Sequence, residues 1–227
     1  MLHLHYFISR KESLEPAEFH RYWKQVHGPI VKQIDELQRY VQSHRVPLAG
    51  QNSPYDGAAE AWVEDLDALN MLKRNRAYLD GALADEPNFI NMGRVEWLTT
   101  EDDVFIDGPT EPGLVKLVFC LKRQPGYTIE AAHRYWREEH GPIVAAIPGL
   151  VRYVQCHTID AAYEFAEPRW DGIAQLWLRD VAAVEQMLAS PEFSEVAWRD
   201  AARFVNMDTV ESFLAEEYTV IAGDGNP

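Results

Sequence analysis

Six of the eight histidines stand in three repeat-related pairs, His20 with His133, His27 with His140 and His44 with His157. Imidazole gains and loses a proton near neutrality, so a histidine held at fixed spacing is a candidate general acid or base. His44 and His157 carry the strongest reading. Each closes an alternating run in which Tyr40, Gln42 and His44, or Tyr153, Gln155 and His157, share one face, while Val41 and Ser43, or Val154 and Cys156, share the other. The small face suits packing against helices. The large, hydrogen-bonding face is then expected to line a barrel interior, with the tyrosines as further proton carriers and Gln42 and Gln155 as substrate ligands. The competing reading is a buried polar network that fixes strand register.

His27 and His140 follow Trp23 and Trp136 by four residues, which puts each pair on one helix face. At the end of a helical segment an imidazole is an acid or base at the barrel mouth, or an anchor for the Gly-Pro turn that follows. Glu60 and Trp62 share a face of a later strand, as do Gln175 and Trp177. The carboxylate of Glu60 is a candidate base that the second copy replaces by an amide, so two pockets would not be equivalent. The tryptophans Trp23, Trp136, Trp62 and Trp177, with Gln175, are expected to hold substrate. Asp56 and Asp171, each before a glycine, read as turn residues. His3 and His5 point the same way, opposite Val115 and Leu117 in the second copy, but no Cys/His cluster completes a metal site and none is expected. His20 and His133 read as solvated helix positions. No P-loop, GxGxxG fingerprint or GxSxG elbow occurs.

The elements that would position these groups are written twice. His20-Arg21-Tyr22-Trp23 returns as His133-Arg134-Tyr135-Trp136, His27-Gly28-Pro29-Ile30-Val31 as His140-Gly141-Pro142-Ile143-Val144, and Arg39-Tyr40-Val41-Gln42 as Arg152-Tyr153-Val154-Gln155, all at an offset of 113. Later matches, Trp62 with Trp177 and Asn91-Met92 with Asn206-Met207, sit at 115, so a loop has gained two residues. Each copy reads strand, helix, strand, strand, helix, strand. The first helix starts near Pro16, with Phe19, Trp23, Val26 and Ile30 at helical spacing, and Gly28 and Gly141 interrupt it before a proline reopens it. Asp65 and Asp180 are expected N-caps of the second helix. Last strands are placed near Arg94 to Leu98 and Thr209 to Phe213. The expected organisation is a module over 1–99, an acidic, turn-rich linker over 100–113, a second module over 114–218 and a tail over 219–227. A ferredoxin-like βαββαβ sheet has helices on one face only, and a second copy covers the other. The fold class expected is therefore α+β, two tandem ferredoxin-like repeats forming an intramolecular α+β barrel of the dimeric type.

Composition narrows the function. A net charge of −15 argues against nucleic acid and anionic membranes. No apolar run reaches the roughly 20 residues of a membrane span, and no secretory signal is visible at the start. Cys120 and Cys156 lack metal-ligand spacing, and a reducing cytoplasm is the simplest expectation.

The strings Tyr-Trp-x3-His-Gly-Pro and Arg-Tyr-Val-Gln-x-His, found twice in register, with Asp56-Gly57-Ala58-Ala59-Glu60-Ala61-Trp62, closely resemble the EthD family of the dimeric α+β barrel superfamily. The resemblance implies the ferredoxin-like fold. For function it implies a range, from lactone isomerases and polyketide cyclases or dehydratases to cofactor-free monooxygenases and haem enzymes. The leading expectation is a cofactor-independent enzyme of isomerase, cyclase or lyase type, working by acid–base chemistry on a small apolar oxygenated metabolite (aromatic, lactone or polyketide-like). The alternatives are an oxidoreductase using haem or O2, and a small-molecule-binding accessory protein without turnover. No cofactor is required by the first, haem by one form of the second. Further association into a homodimer of fused barrels stays open at this stage.

Overall fold

The computed structural model describes residues 1–51, 53–164 and 166–223. The first repeat runs β1 (Leu2–Ile8), α1 (Pro16–Tyr22), a π-helical turn (Trp23–His27), α2 (Gly28–Val31), β2 (Arg39–Val46), β3 (Gly57–Val63), α3 (Leu66–Leu72), a second π-helical turn (Ala77–Ala82), α4 (Leu83–Asp85) and β4 (Glu96–Ile106). The second runs β5 (Val115–Leu121), α5 (Ile129–Tyr135), a π-helical turn (Trp136–His140), α6 (Gly141–Ala145), β6 (Arg152–Thr158), α7 (Asp160–Tyr163), β7 (Gly172–Leu178), α8 (Val181–Ala189), a π-helical turn (Glu192–Ala197), α9 (Trp198–Ala201) and β8 (Glu211–Ile221). The strands hydrogen-bond in the order β1-β3-β2-β8-β5-β7-β6-β4 and close as an eight-stranded antiparallel barrel, the expected fold class.

Local chemistry sets the element ends. Pro16 occupies the first turn of α1, where its missing N–H costs nothing. Asp65 and Asp180 cap α3 and α8 by accepting from the backbone N–H of Ala68 and Ala183, as expected. Thr128 caps α5 in the same way.

Three local expectations are corrected. Gly28 and Gly141 do not break the helix. Both keep helical angles, φ −53° and ψ −48° at Gly28 and φ −55° and ψ −50° at Gly141. Val26 does not face the core; it is 42% exposed, because the π-turn holds an extra residue and so shifts the helical phase toward His27. The last strands are longer than expected. β4 continues through 100–106 and β8 through 219–221, so parts of the expected linker and tail are strand. The acidic run Glu101-Asp102-Asp103 reads as linker, yet it is flanked by Thr99, Thr100, Val104 and Ile106, whose β-branched side chains favour a strand. Residues 224–227 of the expected tail lie outside the described residues.

The chain divides into two compact units. Unit 1 holds Met1–Arg45, Ser53–Thr99 and the described residues from Glu217 onward; unit 2 holds 46–51 and Thr100–Glu216. In unit 1 the core is built on Phe7, Ile8, Phe19, Trp23, Val41 and Phe89, and in unit 2 on Leu117, Tyr153, Leu178, Val184, Val205 and Leu214, all essentially sealed from solvent.

Candidate active site

Strand register fixes which side chains of unit 1 can meet. Leu4, Tyr6 and Ile8 pair across β1–β3 with Ala61, Ala59 and Gly57, and these pair across β3–β2 with Tyr40, Gln42 and His44, so all nine share one sheet face. Gln42 donates to the Trp23 carbonyl at 2.9 Å and the His44 ring lies 4.3 Å from that of Trp23. This face is therefore turned toward the helices. The expectation that Tyr40, Gln42 and His44 line the barrel interior is corrected: small residues at Ala59 and Ala61 on the neighbouring strand leave room for these large side chains on the helix side. The opposite face carries His3, His5, Glu60, Trp62 and Ser43. There His3 Nε2 lies 3.3 Å from Glu60 Oε2, Ser43 donates to Glu60, and the His3 ring stacks on Trp62 at 3.8 Å.

Between the helix-facing side of this sheet and the helices lies a cavity of about 350 Å³. Its size fits the lower range of small-molecule sites, about 300–1,000 Å³. Leu4, Val31, Ile34, Leu69, Leu72 and Ile90 make its wall largely apolar, and the polar lining residues are His5, Tyr6, His27, Tyr40, Lys73, Tyr78, Glu86 and Thr99. Of the residues expected from sequence, it brings together Trp23, His27 and Tyr40. His44, Gln42, Glu60 and Trp62 do not line it.

His27 and Asp85 form a buried pair, Nδ1 to Oδ2, at 2.9 Å. Burial pushes the His27 imidazole below its ordinary value, against the pull of Asp85. Burial also pushes the Asp85 carboxyl up, but hydrogen bonds from Tyr22, Asn88 and His27 outweigh it and hold the group below its usual value. His27 is thus a neutral imidazole that donates from Nδ1–H and keeps Nε2 as a lone-pair acceptor. No described protein group occupies that nitrogen, and His27 lines the cavity.

Glu86 accepts a hydrogen bond from the Tyr6 hydroxyl at 2.9 Å. Burial in apolar surroundings raises its carboxyl to about 7, with a contribution from neighbouring Asp85. Burial likewise raises the hydroxyls of Tyr6, Tyr78 and Tyr40, so these stay protonated donors at neutral pH. One cavity therefore holds a neutral base and a carboxyl poised to hold or release a proton near neutrality, the arrangement that acid–base catalysis requires.

His44 is otherwise engaged. Its Nε2 lies 3.1 Å from Gln42 Oε1, and its Nδ1 lies 2.8 Å from Nδ1 of His20. Because the Gln42 amide nitrogen serves Trp23, its oxygen accepts from His44 Nε2–H, and His20 must then donate to His44 Nδ1. Burial pushes the His44 pKa down to about 2. His20 is correspondingly half-buried and paired, not solvated as expected. In unit 2, His157 meets Gln155 at 3.0 Å and is pushed down to about 2 by burial, while His133 donates to the Asp171 carbonyl at 2.8 Å. Gln155 donates to the Trp136 carbonyl and the Tyr153 hydroxyl. These side chains are thus engaged with one another and with backbone carbonyls in a buried hydrogen-bonded network.

The second repeat is an internal control. By strand register Ile8 corresponds to Leu121, so the counterparts of His3 and His5 are Lys116 and Val118, correcting Val115 and Leu117. The His27–Asp85 pair returns as His140–Asp200 at 2.9 Å, and Tyr22–Asp85 as Tyr135–Asp200. Tyr40 also returns, as Tyr153, but four other polar groups do not. Tyr6 becomes Phe119, Tyr78 becomes Phe193 and Glu86 becomes Ala201, while Lys73 becomes Leu188 and Ala61 becomes Leu176. These replacements pack into one apolar core, with Phe119, Phe193 and Trp198 in mutual ring contact. Gln175 and Trp177, expected as substrate ligands, lie by register on the face turned away from the helices, Trp177 opposite Lys116 and Arg152.

Sequence reading missed Asp85, Glu86, Tyr6 and Tyr78. A signal was present: aligning the repeats at offsets 113 and 115 exposes the polar-to-apolar differences at Tyr6, Tyr78 and Glu86, and the identity of Asp85 with Asp200. Matching identical residues hides the differences, because identity selects the shared scaffold. A haem does not fit this cavity. Its macrocycle with two propionates exceeds about 350 Å³.

The family model described as EthD domain matches residues 11–93 and 124–208. Among solved structures, the chain is similar to an anthrone oxidase-like protein at 9% identity and TM-score 0.67, covering 99% of this chain and 96% of that one. It is similar to a proposed monooxygenase from Lactobacillus acidophilus NCFM at 11% identity and TM-score 0.59, covering 99% and 96%. It is also similar to a mutant chlorite dismutase from Candidatus Nitrospira defluvii at 10% identity and TM-score 0.55, covering 96% and 92%. At such identities these likenesses establish the shared fold. No curated protein is matched by sequence.

Proposed function

This chain belongs to the EthD family, carrying the family's domain twice, and from that premise we propose that its first copy is a cofactor-independent catalyst of proton transfer. The substrate class is a small, largely apolar ring compound bearing a carbonyl or hydroxyl group. His27 Nε2 takes a proton from carbon, with Asp85 fixing the tautomer and stabilising the imidazolium that forms. Glu86, in hydrogen-bond contact with Tyr6, returns a proton to oxygen or to a second carbon, so the net change is an isomerisation or, where a hydroxyl that Glu86 protonates departs as water, a dehydration. The apolar wall excludes water and strengthens each hydrogen bond.

The observation that carries this reading is the convergence of the repeat differences. Glu86, Tyr6, Tyr78 and Lys73 all line one cavity, and all four are apolar in the second copy, where their counterparts join a hydrophobic cluster. A purely structural role would predict no such concentration.

The test needs no knowledge of the natural substrate. In D2O the protein should catalyse α-deuteration of 2-tetralone above the buffer rate, followed by NMR. His27→Gln should lose about 10²–10⁴-fold of that enhancement, whereas His140→Gln should keep it. The two variants lose equivalent buried pairs, so their stability losses should be alike. Exchange retained in His27→Gln, or absent from the wild type, would overturn the reading.

A further inference from the structure

We infer that the ligand of unit 1 is amphipathic: an aromatic body inside the cavity and a carboxylate at its mouth, held by Lys73, with Trp97 a second exposed lining residue there. This rests on the proposed reading of the cavity and extends it to substrate class. His27, Tyr40 and Glu86 are buried, whereas Lys73 is exposed and Trp97 is 68% exposed, so the last two mark where the cavity meets solvent.

Neither mouth residue is explained by the fold. Lys73 follows α3 as its C-cap, where a cation suits the helix dipole. The corresponding position after the duplication is Leu188, within α8, so the element does not require a charge there. Lys73 makes no ion pair among the described residues, in a chain of net charge −15 whose carboxylates outnumber its cations. Trp97 leaves most of a large apolar ring in water at the rim, and its counterpart is Ser212. An indole face offers a stacking surface to a flat ring entering the cavity. A lysine lining the same cavity adds a point charge for an anion, and the deep polar groups, a neutral imidazole, tyrosine hydroxyls and a carboxyl raised to about 7, suit a neutral oxygen. The charge is at the mouth and the hydrogen bonding is inside, which sets the polarity of the ligand along the cavity.

A matched pair of probes separates the two ends. 2-Naphthol presents the ring and hydroxyl alone; 6-hydroxy-2-naphthoate adds a carboxylate at the far side of the same ring. Affinities are measured by calorimetry on the full chain. The expected result is that the naphthoate binds about 3–10-fold more tightly, that Lys73→Met erases this ratio, and that Lys73→Arg preserves it. Raising the salt to about 0.5 M should shrink the ratio, because the pair is solvent-facing. If both probes bind equally, or if Lys73→Met leaves the ratio intact, the anionic mouth is wrong while the cavity reading stands. If neither probe binds, the cavity reading falls and this inference falls with it.

Discussion

At the residue scale, Glu86 is the most informative group. A carboxyl raised from 4.5 to about 7 means that the folded protein holds this proton more tightly than the unfolded chain across that window. Its stabilising contribution is therefore full below pH 4.5 and is lost as pH rises through about 7. Glu86→Gln keeps the shape and removes the ionisation. The variant should match the wild type near pH 5 and exceed it near pH 8 by on the order of 1–3 kcal/mol, several degrees in Tm. Thermal unfolding of both proteins from pH 5 to 8.5 reads this directly, and a difference that does not grow with pH would contradict it. The histidines act in the opposite sense. His44 and His157, with pKa pushed down to about 2, are held neutral by the fold, so stability is present above the unfolded value of 6.5 and is lost as pH falls below it. Each contributes about 1.4 kcal/mol per pH unit in that range. His44→Gln and His157→Gln should therefore soften acid unfolding, measured by circular dichroism between pH 6 and 4, without touching chemistry at the cavity.

At the element scale, the π-turns at Trp23–His27 and Trp136–His140 set the site. They direct Trp23 and His27 together to the cavity, and the Trp23 or Trp136 carbonyl, which accepts the N–H of Gly28 or Gly141, accepts a second hydrogen bond from Gln42 or Gln155. The glycine after each turn is used differently. A Cβ at Gly141 would overlap the Phe105 ring and come within 2.9 Å of Gln155 Nε2, whereas at Gly28 the nearest atoms are Gln42 Nε2 and a Val220 methyl carbon at 3.5 Å. Gly28→Ala should be neutral or stabilising by up to about 1 kcal/mol. Gly141→Ala should cost on the order of 1–3 kcal/mol through overpacking, as denaturant unfolding would reveal; equal effects would refute the distinction. Much of this scale was legible in sequence. Pro16, Asp65 and Asp180 announced helix starts, and alternation announced β2 and β6. What alternation cannot state is which face meets the helices. Tyr40, Gln42 and His44 look too large and polar for a helix contact until Ala59 and Ala61 are known to lie beside them. A π-turn leaves no compositional mark, so helical spacing alone places Val26 one step out of phase.

At the scale of the whole molecule, the duplication was plain from repeated strings, and with it the barrel. The specialisation of one copy was not, because it lies in differences between the copies. β8 carries a consequence for unit 1. Its residues from Glu217 belong to that unit, and β8 is hydrogen-bonded to β2. A chain ending at Glu216 leaves that edge of β2 without its partner. It should lower the unfolding midpoint reported by the unit 1 cavity, through loss of 2-naphthol binding, more than it lowers overall helical content. Unchanged binding by the truncated chain would contradict this. Among the described residues no helix is long and apolar enough to cross a membrane.

The central claim is that unit 1 alone keeps a working cavity, and Ala61→Leu tests it most directly. The substitution gives unit 1 the side chain that Leu176 already supplies in unit 2. Native mass spectrometry with 2-naphthol should show one ligand on the wild-type chain and none on Ala61→Leu, with Tm unchanged or higher because the variant fills space. Full binding by Ala61→Leu, or two ligands per wild-type chain, would contradict the account.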